Sequence, residues 1–497
     1  MAFTMTASSV TPLTPPPPQS PATPQKVAVP GSYGWPVIGP LSDRLQYFWF
    51  KGPKNFFKGK IEKYESTVFR TNVPPTFPFF VGVNPKVIAV LDVKSFSHLF
   101  DMEVVEKANV LVGDFMPSVN FTGGLRVCAY LDTSEPKHAQ VKDFALDILK
   151  RSSSTWVSSM VTSLDTMWDS MDSQLSGGSS ASYFLPLQKF LFTFLSRAIL
   201  NADPSSTPDI EKSGHIMFDK WLALQLIPIT SINILQPLEE IFLHSFSYPF
   251  WLVKSDYKKL ANFVKTEAKD TLLRAQTEFK LTEEEAIHNL LFILGFNAFG
   301  GFTVFLPTLI TNLGEQKSIH EKLRKEVREI LSQNSKGLTF ETVKQMELIN
   351  SFVYETLRLN PPVPTQYGRA RKDFELNSHD AIFEIKKGEL LCGYQALVMR
   401  DSKIFENPED FVYDRFTKEK VSYKPLYISY KPLYSIFNSS DKSSANLRIV
   451  PLAGSVLRME LDRKINKIQF AALNCRLCIK RPPKYVSFVP LNNLKGH

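Results

Sequence analysis

Apolar positions are densest between Leu290 and Ile310, a run long enough to cross a bilayer as a helix. Three features argue instead for a helix buried at the centre of a folded protein. The amide Asn297, the pair Gly300-Gly301 and Pro307 interrupt the run, and Thr282-Glu-Glu-Glu285 ahead of it has the spacing of a capping box. The polar and glycine positions then mark where this helix passes something other than ordinary side chains. Helix-like segments dominate the rest of the chain, with short strand-like pieces at 67–71 and 79–81. The expected fold is mainly α with a small β lobe, an α+β arrangement.

The two ends read differently. Residues 1–29 are rich in Ser, Thr and Pro, hold the run Pro15 to Pro18 and lack acidic residues, so they are expected to be disordered. Low acidity and many hydroxyls fit a chloroplast transit peptide, although Lys26 is the only base before Arg44. Pro30-Gly-Ser-Tyr-Gly-Trp-Pro-Val-Ile-Gly-Pro40 alternates breakers with bulky apolar residues and reads as a stiff entry into a folded domain spanning 30–420. After Lys420 the hexapeptide Ser-Tyr-Lys-Pro-Leu-Tyr occurs at Ser422 and again at Ser429, and residues 421–497 read as a divergent basic tail.

Charge sharpens that division. The net charge of +9 invites a nucleic-acid reading, but residues 421–497 hold 13 Lys and Arg against 3 Asp and Glu. The basicity belongs to the tail, and the body is not an electrostatic nucleic-acid binder. With 497 residues, 43% hydrophobic, the chain can bury a large core. Four scattered cysteines, Cys128, Cys392, Cys475 and Cys478, do not make a disulfide framework, so a reducing compartment is the default.

Chemistry enters first at Glu355 and Arg358, three apart on one helical face that ends before Pro361-Pro362. Alone they read as a surface ion pair. Arg415, in Phe411-Val-Tyr-Asp-Arg-Phe416, could add a second guanidinium and complete a Glu-Arg-Arg network of forked hydrogen bonds. Glu-x-x-Arg followed by an Asp-Arg-Phe block resembles the structural triad of the cytochrome P-450 superfamily, with Tyr413 where the family usually has proline. Three further segments, Thr122-Gly-Gly-Leu-Arg-Val-Cys-Ala-Tyr-Leu-Asp-Thr-Ser-Glu-Pro-Lys-His138, Gly295 to Pro307 and Gln366-Tyr-Gly-Arg-Ala-Arg-Lys-Asp-Phe374, resemble its plant branch of allene oxide synthases, hydroperoxide lyases and divinyl ether synthases.

That resemblance implies a haem b enzyme that cleaves polyunsaturated fatty-acid hydroperoxides, the 13-isomers, to a short aldehyde and an oxo-acid in oxylipin biosynthesis. No reductase and no dioxygen are implied, and the expected location is the plastid, with peripheral association to envelope or thylakoid. Most of the superfamily carries an acid and alcohol pair on the central helix, whereas this chain has Asn297 and two glycines. The resemblance implies that Asn297 orients the hydroperoxide, an amide being able both to donate and to accept, and that Gly300, Gly301 and Thr303 face the substrate. Lys107, His138 and Lys142 match haem-propionate contacts. Leu111 matches a position where allene oxide synthases have Phe, and an aliphatic residue there favours radical cleavage over cation formation.

The family's chemistry requires a cysteine thiolate on iron, and the loop that would carry it is missing after Lys420. Cys475 and Cys478 stand at a suitable distance but lack the loop's glycines and aromatic, so neither is expected to replace it, and a lone Cys-x-x-Cys is weak evidence for zinc. The alternatives are allene oxide or divinyl ether synthesis and, from another class, a haem-free lipid-binding pseudoenzyme.

Overall fold

The computed structural model describes residues 25–74, 82–176, 181–229, 239, 243–244 and 246–420. Among the described residues eight strands build a small β lobe: β1 (Gln25–Val27), β2 (Val68–Asn72), β3 (Lys86–Val90), β4 (Val105–Glu106), β5 (Thr365–Ala370), β6 (Phe374–Asn377), β7 (Ala381–Ile385) and β8 (Leu390–Tyr394). They form two mixed sheets, of order β1-β7-β6 and β2-β3-β8-β5-β4. Strand β2 falls one residue beyond its expected place, and the second expected piece, 79–81, lies outside the described residues.

The expectation of disorder through residue 29 needs correction. Gln25, Lys26 and Val27 pair in parallel with Ala381, Ile382 and Phe383, the Pro30 carbonyl accepts from the Arg70 amide at 2.8 Å, and Val29 is buried. Strand addition uses backbone groups that every non-proline residue carries, so a segment of low-complexity composition can still complete a sheet edge.

Helices make up the larger part: α1 (Ile38–Leu45), α2 (Gly52–Tyr64), α3 (Val93–Ser97), α4 (Pro136–Ser152), α5 (Trp156–Ser176), α6 (Phe184–Leu195) and α7 (Pro208–Leu226), then a series from Lys254 onward. Helix α4 starts on Pro136, whose missing N–H is no loss in a first turn, and ends on Lys150 and Arg151, which suit the negative end of its dipole.

The central segment Glu283–Glu315 begins at the expected capping box. Thr282 Oγ1 accepts from the Glu285 amide at 3.2 Å, and Glu285 Oε2 accepts from the Thr282 amide at 2.8 Å. The segment is apolar and long enough to span a membrane, yet 72% of its most apolar window is buried inside the protein. It is not one regular α-helix: α-helical turns at Glu283–Leu291 and Gly300–Glu315 flank a π-helical stretch, Phe292–Phe299. Around it lies the largest core cluster, which takes in Phe192, Phe218, Trp221, Leu290, Phe299, Leu306 and Phe352, while two smaller clusters fill the β lobe. Gly295 permits the close approach of α7, since a Cβ there would lie 2.6 Å from the Phe218 ring and 2.9 Å from Trp221.

Candidate active site

The π-helical stretch carries Asn297. Within this mostly buried segment Phe296, Asn297 and Ala298 are only half-buried, and the Asn297 Nδ2 is shut away from solvent with no hydrogen-bond partner. A buried amide donor without an acceptor is unfavourable by about 1–3 kcal/mol, and π-turns recur where a helix must present a side chain that regular geometry would misdirect. Trp221 and Phe292 surround Phe296, at 6.5 and 4.7 Å between ring centroids, and Trp221 is itself fixed by donation from Nε1 to the Phe121 carbonyl at 2.8 Å. An orphan donor on the same apolar stretch that carries Phe292 and Phe296 is what an apolar ligand bearing one acceptor would complement.

Of the other predicted substrate contacts, Thr303 is buried and its hydroxyl donates to the Gly300 carbonyl at 3.0 Å, inside the helix. Gly300 is buried against α7, where a Cβ would lie 2.7 Å from a Leu222 methyl, whereas Gly301 is half-buried. Leu111 is half-buried and packs on the main core.

The three predicted cations lie on two elements. His138 and Lys142 stand one turn apart on α4, both buried, and neither forms an ion pair among the described residues. Burial, and then the neighbouring Lys142 charge, hold the His138 imidazole below its usual range; burial likewise lowers the Lys142 ammonium. Two partly desolvated groups of this kind suit incoming carboxylates, whose negative charge would favour their protonated forms. Lys107 follows β4 and lays its ammonium over the Phe100 ring, 4.7 Å from the centroid. As nitrogen donors the three have the chemistry that the carboxylate edge of a porphyrin would need.

They do not offer a thiolate. Cys128 and Cys392 are buried, and burial pushes both thiols up to about 12. Cys475 and Cys478 lie outside the described residues.

Glu355, Arg358 and Arg415 come together. Arg358 grips Glu355 with Nε and Nη2 at 2.7 and 2.8 Å, and Arg415 Nε donates to both carboxylate oxygens at 3.1 Å. Arg358 also donates to the carbonyls of Met399, Pro408 and Asp410, so the network pins the chain that follows α-helix Glu347–Leu359.

Among the described residues one further group, Asp92, His379 and Asp401, is compact enough for a metal ion. Its oxygens are already engaged. Asp92 accepts from the Ser95 amide at 2.8 Å and from the Thr67 hydroxyl at 2.5 Å, and Asp401 accepts from the Val93 amide at 3.0 Å and pairs with His379 Nε2 at 2.6 Å. It is a hydrogen-bonded staple across the β lobe.

Residues 133–432 match the cytochrome P-450 family, three-fifths of the chain. The chain belongs to that family. It is 61% identical to the chloroplastic fatty acid hydroperoxide lyase of Solanum lycopersicum over 90% of this chain and 94% of that one. Identity to the chloroplastic linolenate hydroperoxide lyase of Arabidopsis thaliana is 52%, covering 91% and 92%. The chloroplastic allene oxide synthase 1 of Solanum lycopersicum is further off, at 39% over 87% and 81%.

The family match reaches residue 432, and the tenth of the chain left outside the lyase match is shorter than the segment 421–497. The expectation that family likeness stops at Lys420 is therefore corrected. A missing glycine and aromatic loop marks the loss of one motif, whereas alignment weighs every position along the chain.

Two features of the site were missed from the sequence. The π-helical stretch has no period of its own over eight residues, and Asp132, which bonds to both Ser134 and the Lys107 amide, reads in sequence as an ordinary turn residue.

Proposed function

We propose that this chain carries the site of a plastid fatty-acid hydroperoxide lyase, acting on 13-hydroperoxides without a reductase or dioxygen. The observation that carries the reading is the unpartnered Asn297 amide on a π-helical turn with no acid and alcohol pair beside it, in a chain whose lyase relatives are more similar than its allene oxide synthase relative. Nothing at that turn is suited to delivering protons to dioxygen. The same amide suits a substrate that arrives with its oxygens in place.

In this reading Lys107, His138 and Lys142 would hold the two propionates of haem. When bound, haem supplies homolytic scission of the O–O bond. The Asn297 Nδ2 donates to one hydroperoxide oxygen, which ends its unsatisfied burial and fixes the peroxide relative to the helix. Trp221, Phe292 and Phe296 keep water from the carbon-centred radical on the substrate, and Leu111 offers it no aromatic face, so carbon–carbon cleavage is favoured over oxidation to a cation. Gly301 and Thr303 would border the fatty chain.

The thiolate is the element that the described part of the chain does not supply. The chain as it stands is expected to give no thiolate-type carbon monoxide spectrum after haemin loading and no lyase activity, until a family-type cysteine loop is grafted after Lys420. The grafted protein should then cleave 13-hydroperoxides of linoleic and linolenic acid without NADPH. A preference for 9-hydroperoxides, allene oxide as main product or dependence on a reductase would overturn the reading. A thiolate-type band from the ungrafted chain would assign the ligand to Cys475 or Cys478.

We further propose that the protein rests on a plastid membrane surface. Trp35, just before α1, Ile38, its first residue, and Phe50, beyond its end, are exposed, while Phe246, Trp251 and Leu252 are exposed on a segment held to α1 by Arg44 donating to the His244 carbonyl at 2.8 Å. Apolar side chains this large, gathered on adjoining elements, suit an interfacial contact. Sedimentation with vesicles of galactolipid and anionic lipid tests it, and a Trp35→Ser, Trp251→Ser protein that sediments as well as the parent would refute it.

A further inference from the structure

We infer that Asp132 and Arg371 form a clamp that sets Lys107 in register with His138 and Lys142, making one carboxylate-binding set from residues on separate elements. The inference rests on the reading of those three cations as the propionate site.

His138 and Lys142 are fixed relative to each other because they share a face of α4. Lys107 is not on that helix; it follows the two-residue strand β4, and its place depends on what holds its backbone. That partner is Asp132. One carboxylate oxygen accepts from the Lys107 amide at 3.0 Å, and the other accepts from the Ser134 amide at 2.9 Å and the Ser134 hydroxyl at 2.6 Å. The Asp132 amide donates to Glu135 Oε1 at 2.8 Å, and the Glu135 carbonyl accepts from the His138 amide at 3.0 Å. A single side chain therefore links the backbone of Lys107 to the turn from which α4 springs.

Arg371 closes the clamp from the β lobe. Its Nη2 pairs with Asp132 Oδ2, while its Nε donates to the carbonyls of Met102 and Val105 at 3.0 and 3.1 Å, just upstream of Lys107. Glu106 lies 3.7 Å from the same guanidinium. Asp132 is 4% exposed in its side chain, and Arg371 22%. Burial pushes the Asp132 carboxyl up, but the bonds from Arg371, Ser134 and the Lys107 amide outweigh it and hold the group ionised, well below the usual carboxylate range. An anion cannot itself receive a propionate, and the Arg371 charge is committed to Asp132. Both therefore act as positioning residues, through Lys107.

The test uses the full-length chain and iron-free protoporphyrin IX, which carries the same two propionates and needs no iron ligand. Its dimethyl ester, without the carboxylates, is the reference. Binding is read by tryptophan quenching for the parent and for Asp132→Asn, Arg371→Met, Arg371→Lys and Lys107→Met, and backbone exchange by deuterium uptake in the absence of porphyrin.

Asp132→Asn and Arg371→Met are expected to weaken the diacid about tenfold, the scale of one lost charge-assisted contact, and to leave the ester unchanged. Arg371→Lys should restore part of the loss, and exchange should quicken in 103–110 and the first turn of α4 more than elsewhere. Parent-like affinity for the diacid in Asp132→Asn and Arg371→Met, alongside a loss in Lys107→Met, overturns the clamp and keeps the propionate site. So does a loss shared equally by diacid and ester, or exchange that rises uniformly. A parent chain that binds diacid no better than ester overturns the propionate site itself.

Discussion

Replacing Glu355 with Gln should be among the most damaging single changes in this protein. Glu355 and Arg358 are fully buried, and the carboxylate accepts from Arg358 at 2.7 and 2.8 Å, from the Val412 amide at 2.8 Å and from Arg415 at 3.1 Å. An amide can accept on one oxygen only, and its NH2 group would face a guanidinium. Arg358 would keep the Met399, Pro408 and Asp410 carbonyls but lose its counter-charge in the interior. Breaking a buried pair in this way costs about 3–5 kcal/mol. Arg415, 12% exposed in its side chain, can leave without disturbing the forked pair, so Arg415→Met should cost about 1–2 kcal/mol. Urea unfolding followed by tryptophan fluorescence gives both values, and limited proteolysis should cut the Glu355→Gln protein first between 399 and 415. In a double-mutant cycle with Arg358→Met, the double variant should lose less than the sum of the singles, because the stranded charge has gone. A loss below about 1 kcal/mol for Glu355→Gln, or strict additivity, would refute the argument that this network ties the segment after β8 to the helical body.

Burial holds the imidazoles of His98, His138, His215, His288 and His320 below their ordinary 6.5. Below pH 6.5 the unfolded chain therefore binds more protons than the folded one, so stability present above that pH should fall as pH drops beneath it, and His215→Gln should flatten the fall; urea midpoints that stay level from pH 7 to 5 would contradict this. In a haem-loaded grafted protein, Asn297→Ala should raise the barrier to turnover by about 2–3 kcal/mol, and unchanged turnover would make Asn297 structural. Leu111→Phe in the same background should shift product toward allene oxide, which a constant product ratio would disprove. Gly295→Ala should be more destabilising than Gly300→Ala, because the added methyl meets the Phe218 and Trp221 rings in one case and a Leu222 methyl able to turn aside in the other. Overpacking against rings costs about 1–3 kcal/mol, and equal melting temperatures would count against that ranking.

The sequence by itself determined what local pattern can encode. The capping box at Thr282 and Glu285, the buried apolar run behind it and the facing pair Glu355 and Arg358 were all legible, because each depends on residues within one or two turns. The edge strand at Gln25–Val27 was not, because its partner at Ala381–Phe383 lies far along the chain and backbone pairing leaves no mark on side-chain pattern. Only the tertiary structure decided that Gly300 spaces the central segment from Leu222, that the helix passes through a π-turn at Asn297, and that Asp132 bonds to Lys107 25 residues away. In each case the deciding partner is a group brought close by packing, and its identity depends on the whole fold.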